Sequence, residues 1–318
     1  MTTRKLIVDH IGDAGDLIRE IVLSAADGAV LPAFSPGAHV EITLPSGGRN
    51  AYSLIDFSGD LAAPVQYRLG VRLENPGAGG SRFIHALKPG DTLEVGEPKN
   101  HFPLAGGPGP VLLLAGGIGV TPLISMAAAL AAAGRDFRMI YASRSAGAAA
   151  FADRLVAAHG ARVTLHHDDQ AGGPVPVADL VAGADPGTHV YVCGPKPMIE
   201  ATRAAMEALG RPSAQFHAEL FENTAHQGGD RAFEVEIAST GQIVTVPADQ
   251  TIIEALEAAG LDLIYDCQRG DCGICQTDVL EGTPDHRDVV LSQEERASNR
   301  VMQICVSRAL SPRLKLDL

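Results

Sequence analysis

Short runs of alternating apolar and polar residues, broken by glycine and proline, fill the first third of the chain. Stretches 17–23, 39–44, 51–54, 65–73 and 91–95 have this character, and turns fall at Ser35-Pro36-Gly37, Pro45-Ser46-Gly47-Gly48, Asn75-Pro76-Gly77 and Lys88-Pro89-Gly90. Regular short strands with such turns predict a small antiparallel β-barrel, with one short helix over 81–87. The pattern changes at Gly106-Gly107-Pro108-Gly109-Pro110. Beyond it, 111–115 is a continuous apolar strand, followed by a glycine turn and an alanine-rich helix over 121–133. Strands at 137–142, 161–165 and 188–192 and helices at 148–158 and 197–209 complete an alternation that predicts a parallel α/β sheet. The polar stretch 223–232 reads as a linker. From 233 the pattern is a hairpin (233–238 and 242–246, turning at Thr240-Gly241), a helix over 251–259 and a cysteine-rich loop. The expected domains are 1–107, 108–222 and 233–318, a multidomain chain of β-barrel, α/β domain and α+β β-grasp domain.

Composition narrows the class. The chain has 318 residues, of which 46% are hydrophobic and 20% charged, enough apolar surface for several cores. With 25 Lys+Arg against 38 Asp+Glu the net charge is −13, which argues against nucleic acid as a partner. The acidity serves solubility or steers a partner protein. The first ten residues hold no signal-peptide core, and no apolar run approaches the ~20 residues a bilayer requires. A cytoplasmic protein is expected.

Four cysteines carry the sharpest chemical signal. Cys267, Cys272 and Cys275 are spaced C-x4-C-x2-C, and Cys305 follows after 29 residues. This is the plant-type ferredoxin arrangement for a [2Fe–2S] cluster. Gly270 and Gly273 free the loop backbone to wrap around a cluster. A zinc site usually uses two C-x2-C knuckles, and only Cys272/Cys275 forms one. Disulfides fit poorly with an intracellular chain. Asp266, Arg269 and Asp271 are close enough in sequence to influence a cluster's potential.

Two glycine turns end apolar strands in the middle third. Gly116, Gly117 and Gly119, then Thr121 and Pro122, form a strand–turn–helix in which backbone N–H groups attract a pyrophosphate. Thr121 is expected to cap that helix. A tight βα turn without a ligand is the alternative, since the pattern is not G-x-G-x-x-G. Cys193, Gly194 and Pro195 close a second strand, and ligands of open α/β sheets bind at such ends. Cys193 suits either a place near a nicotinamide or a small core position. His166, His167 and His217 lack metal-binding partners at motif spacing.

Taken in order, these motifs resemble the phthalate dioxygenase reductase type of the ferredoxin–NADP reductase superfamily, to which vanillate demethylase reductases are similar. The resemblance implies that Arg-x-Tyr-Ser holds a flavin. Here Tyr52 and Ser53, followed by Leu54, match, Asn50 stands in the arginine position, and Arg49, one residue early, is the candidate for the arginine's role at the flavin. It also implies that Gly79, Gly80 and Ser81 receive the flavin phosphate, that Thr121, Cys193, Gly194 and Pro195 lie at the nicotinamide, and that Phe221 of Glu219-Leu220-Phe221 lies near the flavin. Arg144 becomes a candidate for the nucleotide's ribose or phosphate. The implied cofactors are FMN rather than FAD, a [2Fe–2S] cluster, and NADH, with NADPH left open by Arg144. No side chain need act as an acid or base: the flavin receives a hydride and releases single electrons. The implied partner is a Rieske non-haem iron oxygenase. A stand-alone NADH:quinone or ferric reductase and a redox sensor are the competing readings.

Overall fold

A computed structural model describes residues 3–74, 79–222 and 224–318. The turn expected at Asn75-Pro76-Gly77 and the first linker residue, Asn223, lie outside the described residues. The chain divides into two compact units, Met1–His217 and Ala218–Leu318.

The first unit opens with a six-stranded sheet in the order β4-β3-β6-β1-β2-β5. Its strands are β1 (Thr3–Gly15), β2 (Ile18–Ala25), β3 (His39–Thr43), β4 (Arg49–Ser53), β5 (Gln66–Arg72) and β6 (Thr92–Gly96), with helix α1 (Gly80–Ala86) before β6. All pairings are antiparallel. The Ile55 N–H donates to the Arg68 carbonyl at 2.9 Å, which brings the chain beyond β4 against β5 and curls the sheet into a barrel. Alternation explains the core: Val40 and Ile42 of β3, Leu69 and Val71 of β5, and Leu93 and Val95 of β6 all point inward. The long strand β1 is absent from the sequence reading. Its register shifts between Val8 and His10 and between Asp13 and Gly15 break the period-two pattern that would have announced it.

The same unit continues into a five-stranded sheet ordered β11-β10-β7-β8-β9. It contains β7 (Val111–Gly116), α2 (Val120–Ala132), β8 (Phe137–Ser143), α3 (Ala152–His159), β9 (Val163–His167), α4 (Asp168–Ala171), α5 (Val177–Ala182), β10 (His189–Cys193), α6 (Lys196–Ala208) and β11 (Phe216–Glu219), the last two residues of which open the second unit. Strands β10, β7, β8 and β9 run parallel. Every residue of β7 is buried, as expected of a strand covered on both faces. Helix α3 starts at Ala152 instead of 148, because Phe151 takes a left-handed φ of 62° that ends the preceding turn. The sequence reading also lacked α5, a six-residue helix directly behind a Gly-Gly-Pro-Val-Pro run.

The second unit is a mixed sheet ordered β13-β12-β18-β14-β16. Its elements are β12 (Phe233–Ile237), β13 (Ile243–Val246), α7 (Ile252–Ala258), β14 (Gln276–Glu281), β15 (Pro284–Asp285), α8 (Gln293–Ser298), β16 (Val301–Gln303), β17 (Arg308–Ala309) and β18 (Arg313–Leu316). The hairpin β12–β13 is antiparallel, while β12 and β18 are parallel, the β-grasp arrangement. Helix α7 begins with a capping box, Thr251 accepting from the Glu254 N–H and Glu254 from the Thr251 N–H. The buried residues Ile252 and Leu256 of α7 join Val235, Ile237, Leu314 and Leu316 of the sheet in one core. From Thr224 on, the segment expected as a linker is built into this unit: Thr224 Oγ1 donates to the Arg287 carbonyl at 3.0 Å, and Ala225 is buried. Among the described residues no helix is long and apolar enough to cross a membrane.

Candidate redox site

In the barrel, strand β4 sorts the expected flavin residues by face. Arg49 and Ala51 are exposed, whereas Asn50 and Tyr52 turn to the other side, partly buried. Arg49 approaches Glu41 at 3.8 Å. Asn50 Nδ2 donates to Tyr52 Oη at 3.2 Å and also lies where a Cβ at Gly80 would stand. The geometry thus gives the place beside Tyr52 to Asn50, which stands where the motif has arginine, and not to Arg49. A one-residue shift along a strand reverses the face. Burial raises the Tyr52 phenol above its usual range, opposed by the Asn50 hydrogen bond. Ser53 and Leu54 are buried. Gly79 has φ 95°, a conformation that favours glycine, and Ser81 Oγ accepts from the Glu74 N–H at 3.0 Å.

At the C-terminal rim of the parallel sheet, Cys193 and Ala115 are partners in register, so the two glycine turns leave β7 and β10 side by side. Their glycines do different jobs. A Cβ at Gly116 would stand 2.7 Å from Pro195 Cδ and 2.9 Å from Met198 Sδ, and one at Gly119 would collide with the Cys193 carbonyl. These two let the turns pack together. A Cβ at Gly117 would meet open space, and its φ is 55°. Thr121 does not cap α2: it lies inside the helix, and its hydroxyl donates back to the Ile118 carbonyl at 3.0 Å. Its methyl group and the Phe151 ring occupy the space a Cβ at Gly70 of β5 would need, which sets Thr121 at the seam of barrel and α/β sheet. Pro122 is buried in the same first turn, and Cys193 is fully buried. Arg144 follows β8 and is exposed; its carbonyl accepts from the Asp169 N–H at 3.1 Å.

In the second unit, the loop between α7 and β14 carries Cys267, Cys272 and Cys275, and Cys305 follows β16. Cys275 and Cys305 are buried, and Cys267 and Cys272 are partly exposed. The neighbouring Cys272 and then Cys305 draw Cys267 toward its thiolate, while Cys267 and then Cys275 hold Cys305 protonated. Among the described residues no three His, Cys, Asp or Glu converge on one ion-sized position. Four thiols in one unit are the donor set that would hold a [2Fe–2S] cluster. Gln268, Gly270 and Gly273 take φ of 52°, 77° and 78°, which curls the loop. A Cβ at Gly270 would come within 2.6 Å of Val306 Cγ2 and 3.0 Å of Asp288 Cα. The Arg269 N–H points at Cys267 Sγ at 3.4 Å, and Cys275 Sγ lies 3.5 Å from Gln303 Oε1.

Charge around the loop is internal to this unit. Arg269 reaches Glu219 at 3.5 Å and Asp271 at 3.6 Å, and the Leu220 N–H donates to Asp271 at 3.2 Å. Burial pushes Glu219 up to about 8 and Asp271 up to about 7, opposed by Arg269. Asp271 and Arg269 were readable from the loop. Glu219, Asp288 and Gln303 were not assigned to the cluster, since nothing in local spacing connects them to it; Phe221, two residues beyond Glu219, is half-buried.

Comparison with known proteins agrees with this geometry. The family described as "2Fe-2S iron-sulfur cluster binding domain" matches residues 235–310, and "Oxidoreductase NAD-binding domain" matches 113–204. The chain is 42% identical to phenoxybenzoate dioxygenase subunit beta of Ectopseudomonas oleovorans, over 95% of this chain and 92% of that one. It is 41% identical to vanillate O-demethylase oxidoreductase of Pseudomonas sp. strain HR199, over 98% and 100%. It is 40% identical to the heme-dependent oxidative N-demethylase beta subunit of Ectopseudomonas mendocina strain ymp, over 98% and 97%. Among solved structures, phthalate dioxygenase reductase matches with a TM-score of 0.72 and 33% identity over 99% of this chain and 98% of that one. An intact type IV self-sufficient cytochrome P-450 monooxygenase matches with a TM-score of 0.72 and 36% identity; this chain spans 41% of its length. The chain therefore belongs to the phthalate dioxygenase reductase type of oxidoreductase, with an NAD-binding domain followed by a C-terminal [2Fe–2S] domain. Its relatives include reductase subunits of carnitine monooxygenase, 40% identical in Acinetobacter pittii strain PHEA-2 over 95% of this chain and 98% of that one.

Proposed function

We propose that this chain takes a hydride from NADH onto FMN and passes single electrons through a [2Fe–2S] cluster to the Rieske non-haem iron oxygenase of a two-component system. The spacing of Cys267, Cys272, Cys275 and Cys305 carries the reading, because it suits a [2Fe–2S] cluster, a one-electron carrier with no bond-breaking chemistry of its own. We assign the cluster to these four residues, in a ferredoxin domain over 233–318. The flavin is assigned to Tyr52, Ser53, Leu54, Gly79, Gly80 and Ser81 of a barrel over 1–107, with Asn50 beside Tyr52. The nucleotide is assigned to Gly116, Gly117, Gly119, Thr121, Pro122, Arg144, Cys193, Gly194 and Pro195 of the domain over 108–222. The residues present fit these groups: the Gly117 turn opens into space, and four thiols share one unit with a loop curled at Gly270 and Gly273. When bound, the flavin supplies the split of an electron pair into single electrons. The protein's part is to hold the nucleotide against the rim and to keep the cluster sulfurs in place. The proposed location is cytoplasmic.

An anaerobic NADH titration of cofactor-loaded protein, followed by visible absorption and electron paramagnetic resonance, tests the internal chain. Flavin bleaching together with a rhombic reduced-cluster signal is expected. Absence of bound flavin would overturn the reading and revive the sensor. A haem-type oxygenase is the second reading for the partner, favoured by the 40% identity to a subunit named for a heme-dependent demethylase. Turnover with a purified Rieske oxygenase against turnover with a haem oxygenase component decides between them. Faster turnover with a quinone or a ferric chelate than with either would point to a stand-alone reductase.

A further inference from the structure

One buried charge lies behind the cluster loop with no part in the scheme above. Asp288 is completely buried, 13 residues beyond Cys275 in sequence. Its Oδ1 accepts from the Val290 and Leu291 N–H groups at 3.3 and 3.0 Å. Its Oδ2 makes no hydrogen bond. The nearest ion-pair partner, Arg296, stands at 3.8 Å and spends its Nη2 on the Asp288 carbonyl at 2.6 Å. The neighbouring cation Arg287 is taken by Asp230 and Asp285. A buried carboxylate with so loose a counter-charge is destabilising, so the fold retains it against a penalty.

The Asp288 turn reaches the cluster loop directly. The Val289 N–H donates to the Gly270 carbonyl at 2.9 Å. The Asp288 Cα and Cβ fill the space beside Gly270 that a side chain there would need. Gly270 sits between Cys267 and Cys272 in a left-handed conformation, and Val306, which follows Cys305, closes on it from another side. The carboxylate holds its own turn, the turn holds Gly270, and Gly270 sets the path of the loop between two ligands.

We propose that Asp288 is a positioning residue of the cluster: it fixes the loop at Gly270 and places a fixed negative charge behind the cluster that lowers its reduction potential. Partners outside the first ligand sphere are known to orient ligands and tune the metal, and local charge and hydrogen bonding set the potentials of such clusters. The proposal rests on the [2Fe–2S] reading of the loop.

The test is Asp288→Asn in the cofactor-loaded full chain, with iron and sulfide content, the cluster midpoint potential and the electron paramagnetic resonance g-values as readouts. Near-normal cluster content, an upward shift in the cluster midpoint and an unchanged flavin midpoint are expected. Where the variant loses its cluster, Arg296→Gln keeps the carboxylate and weakens its counter-charge, and a downward shift is expected. A merely structural role lowers cluster content but leaves the potential of the remaining clusters where it was. Unchanged midpoint and g-values in the loaded variants overturn the proposal. A wild-type chain with no cluster signal at all instead overturns the reading on which it rests.

Discussion

Arg287 grips Asp230 with both terminal nitrogens, Nη1 to Oδ2 at 2.9 Å and Nη2 to Oδ1 at 2.6 Å. The same guanidinium holds Asp285 and donates to the Ala225 carbonyl at 2.9 Å, and Arg308 adds a second cation 3.7 Å from Asp230. Asp230 therefore ties the segment before β12 to the β15 end of the unit. Asp230→Ala leaves two buried guanidinium groups short of a partner, and breaking a buried pair from one side costs about 3–5 kcal/mol. The midpoint of urea unfolding, followed by cluster absorbance, should fall accordingly, while NADH-to-flavin reduction stays normal. An unchanged midpoint would mean that this segment is a passive tether.

The same contact makes a prediction about acid. Hydrogen bonds from Arg287 hold the Asp230 carboxyl down to about 2, below its usual 3.8. The unfolded chain then binds a proton before the folded one does. The stabilising contribution is complete above pH 3.8 and is lost as pH falls through about 2. Asp230→Asn should flatten the acid limb of the unfolding profile between those values.

The barrel carries a prediction in which two adjacent residues behave oppositely. Arg49 faces Glu41, and Asn50 faces Tyr52 and Gly80. Arg49→Ala should leave FMN retention unchanged, and Asn50→Ala should weaken it several-fold, read by fluorescence as flavin is released. Weakening by Arg49→Ala alone would show that the strand reverses its faces when flavin binds.

Gly119→Ala tests the packing of the two glycine turns. The new methyl group would meet the Cys193 carbonyl, which is backbone and cannot swing aside. Overpacking of this kind costs roughly 1–3 kcal/mol. NADH-dependent bleaching of the flavin should slow by at least an order of magnitude, while bleaching by dithionite should not change. Equal loss with both reductants would mean that the whole unit had been damaged.

These contrasts show which parts of the molecule are written locally in the chain. The spacing of the loop cysteines and both glycine turns were legible because residues close in sequence carry them. β7 was legible because a strand covered on both faces is apolar throughout. β1 was hidden by two bulges, and Thr121 was misread as a cap because the helix starts one residue earlier, at Val120. Asn50 stood in the right register, but its significance depended on the face, which only pairing with β3 decides. Glu219 meets Arg269 across 50 residues, Arg287 meets Asp230 and Ala225 across 57 and 62, and the Asp288 turn meets Gly270 through Val289 across 19, and no short motif encodes contacts of that range.

The last prediction concerns His217, whose ring stacks on Tyr191 at 4.2 Å and whose Nε2 meets His189 Nδ1 at 3.0 Å. Burial, reinforced by the nearby His189, lowers its pKa from 6.5 to about 4. The folded unit thus keeps this ring neutral where the unfolded chain protonates it. Stability rises with pH wherever the unfolded state binds more protons. The contribution is complete above pH 6.5 and declines toward about pH 4. Because the ring keeps some exposure, solvent screening reduces the effect to roughly 1 kcal/mol. Thermal melts of the flavin-loaded protein should therefore drop by a few degrees between pH 7.5 and 5. His217→Phe keeps the stack on Tyr191 and removes the titrating group, so most of that drop should disappear. A variant that retains the full drop would place the acid sensitivity elsewhere in the unit.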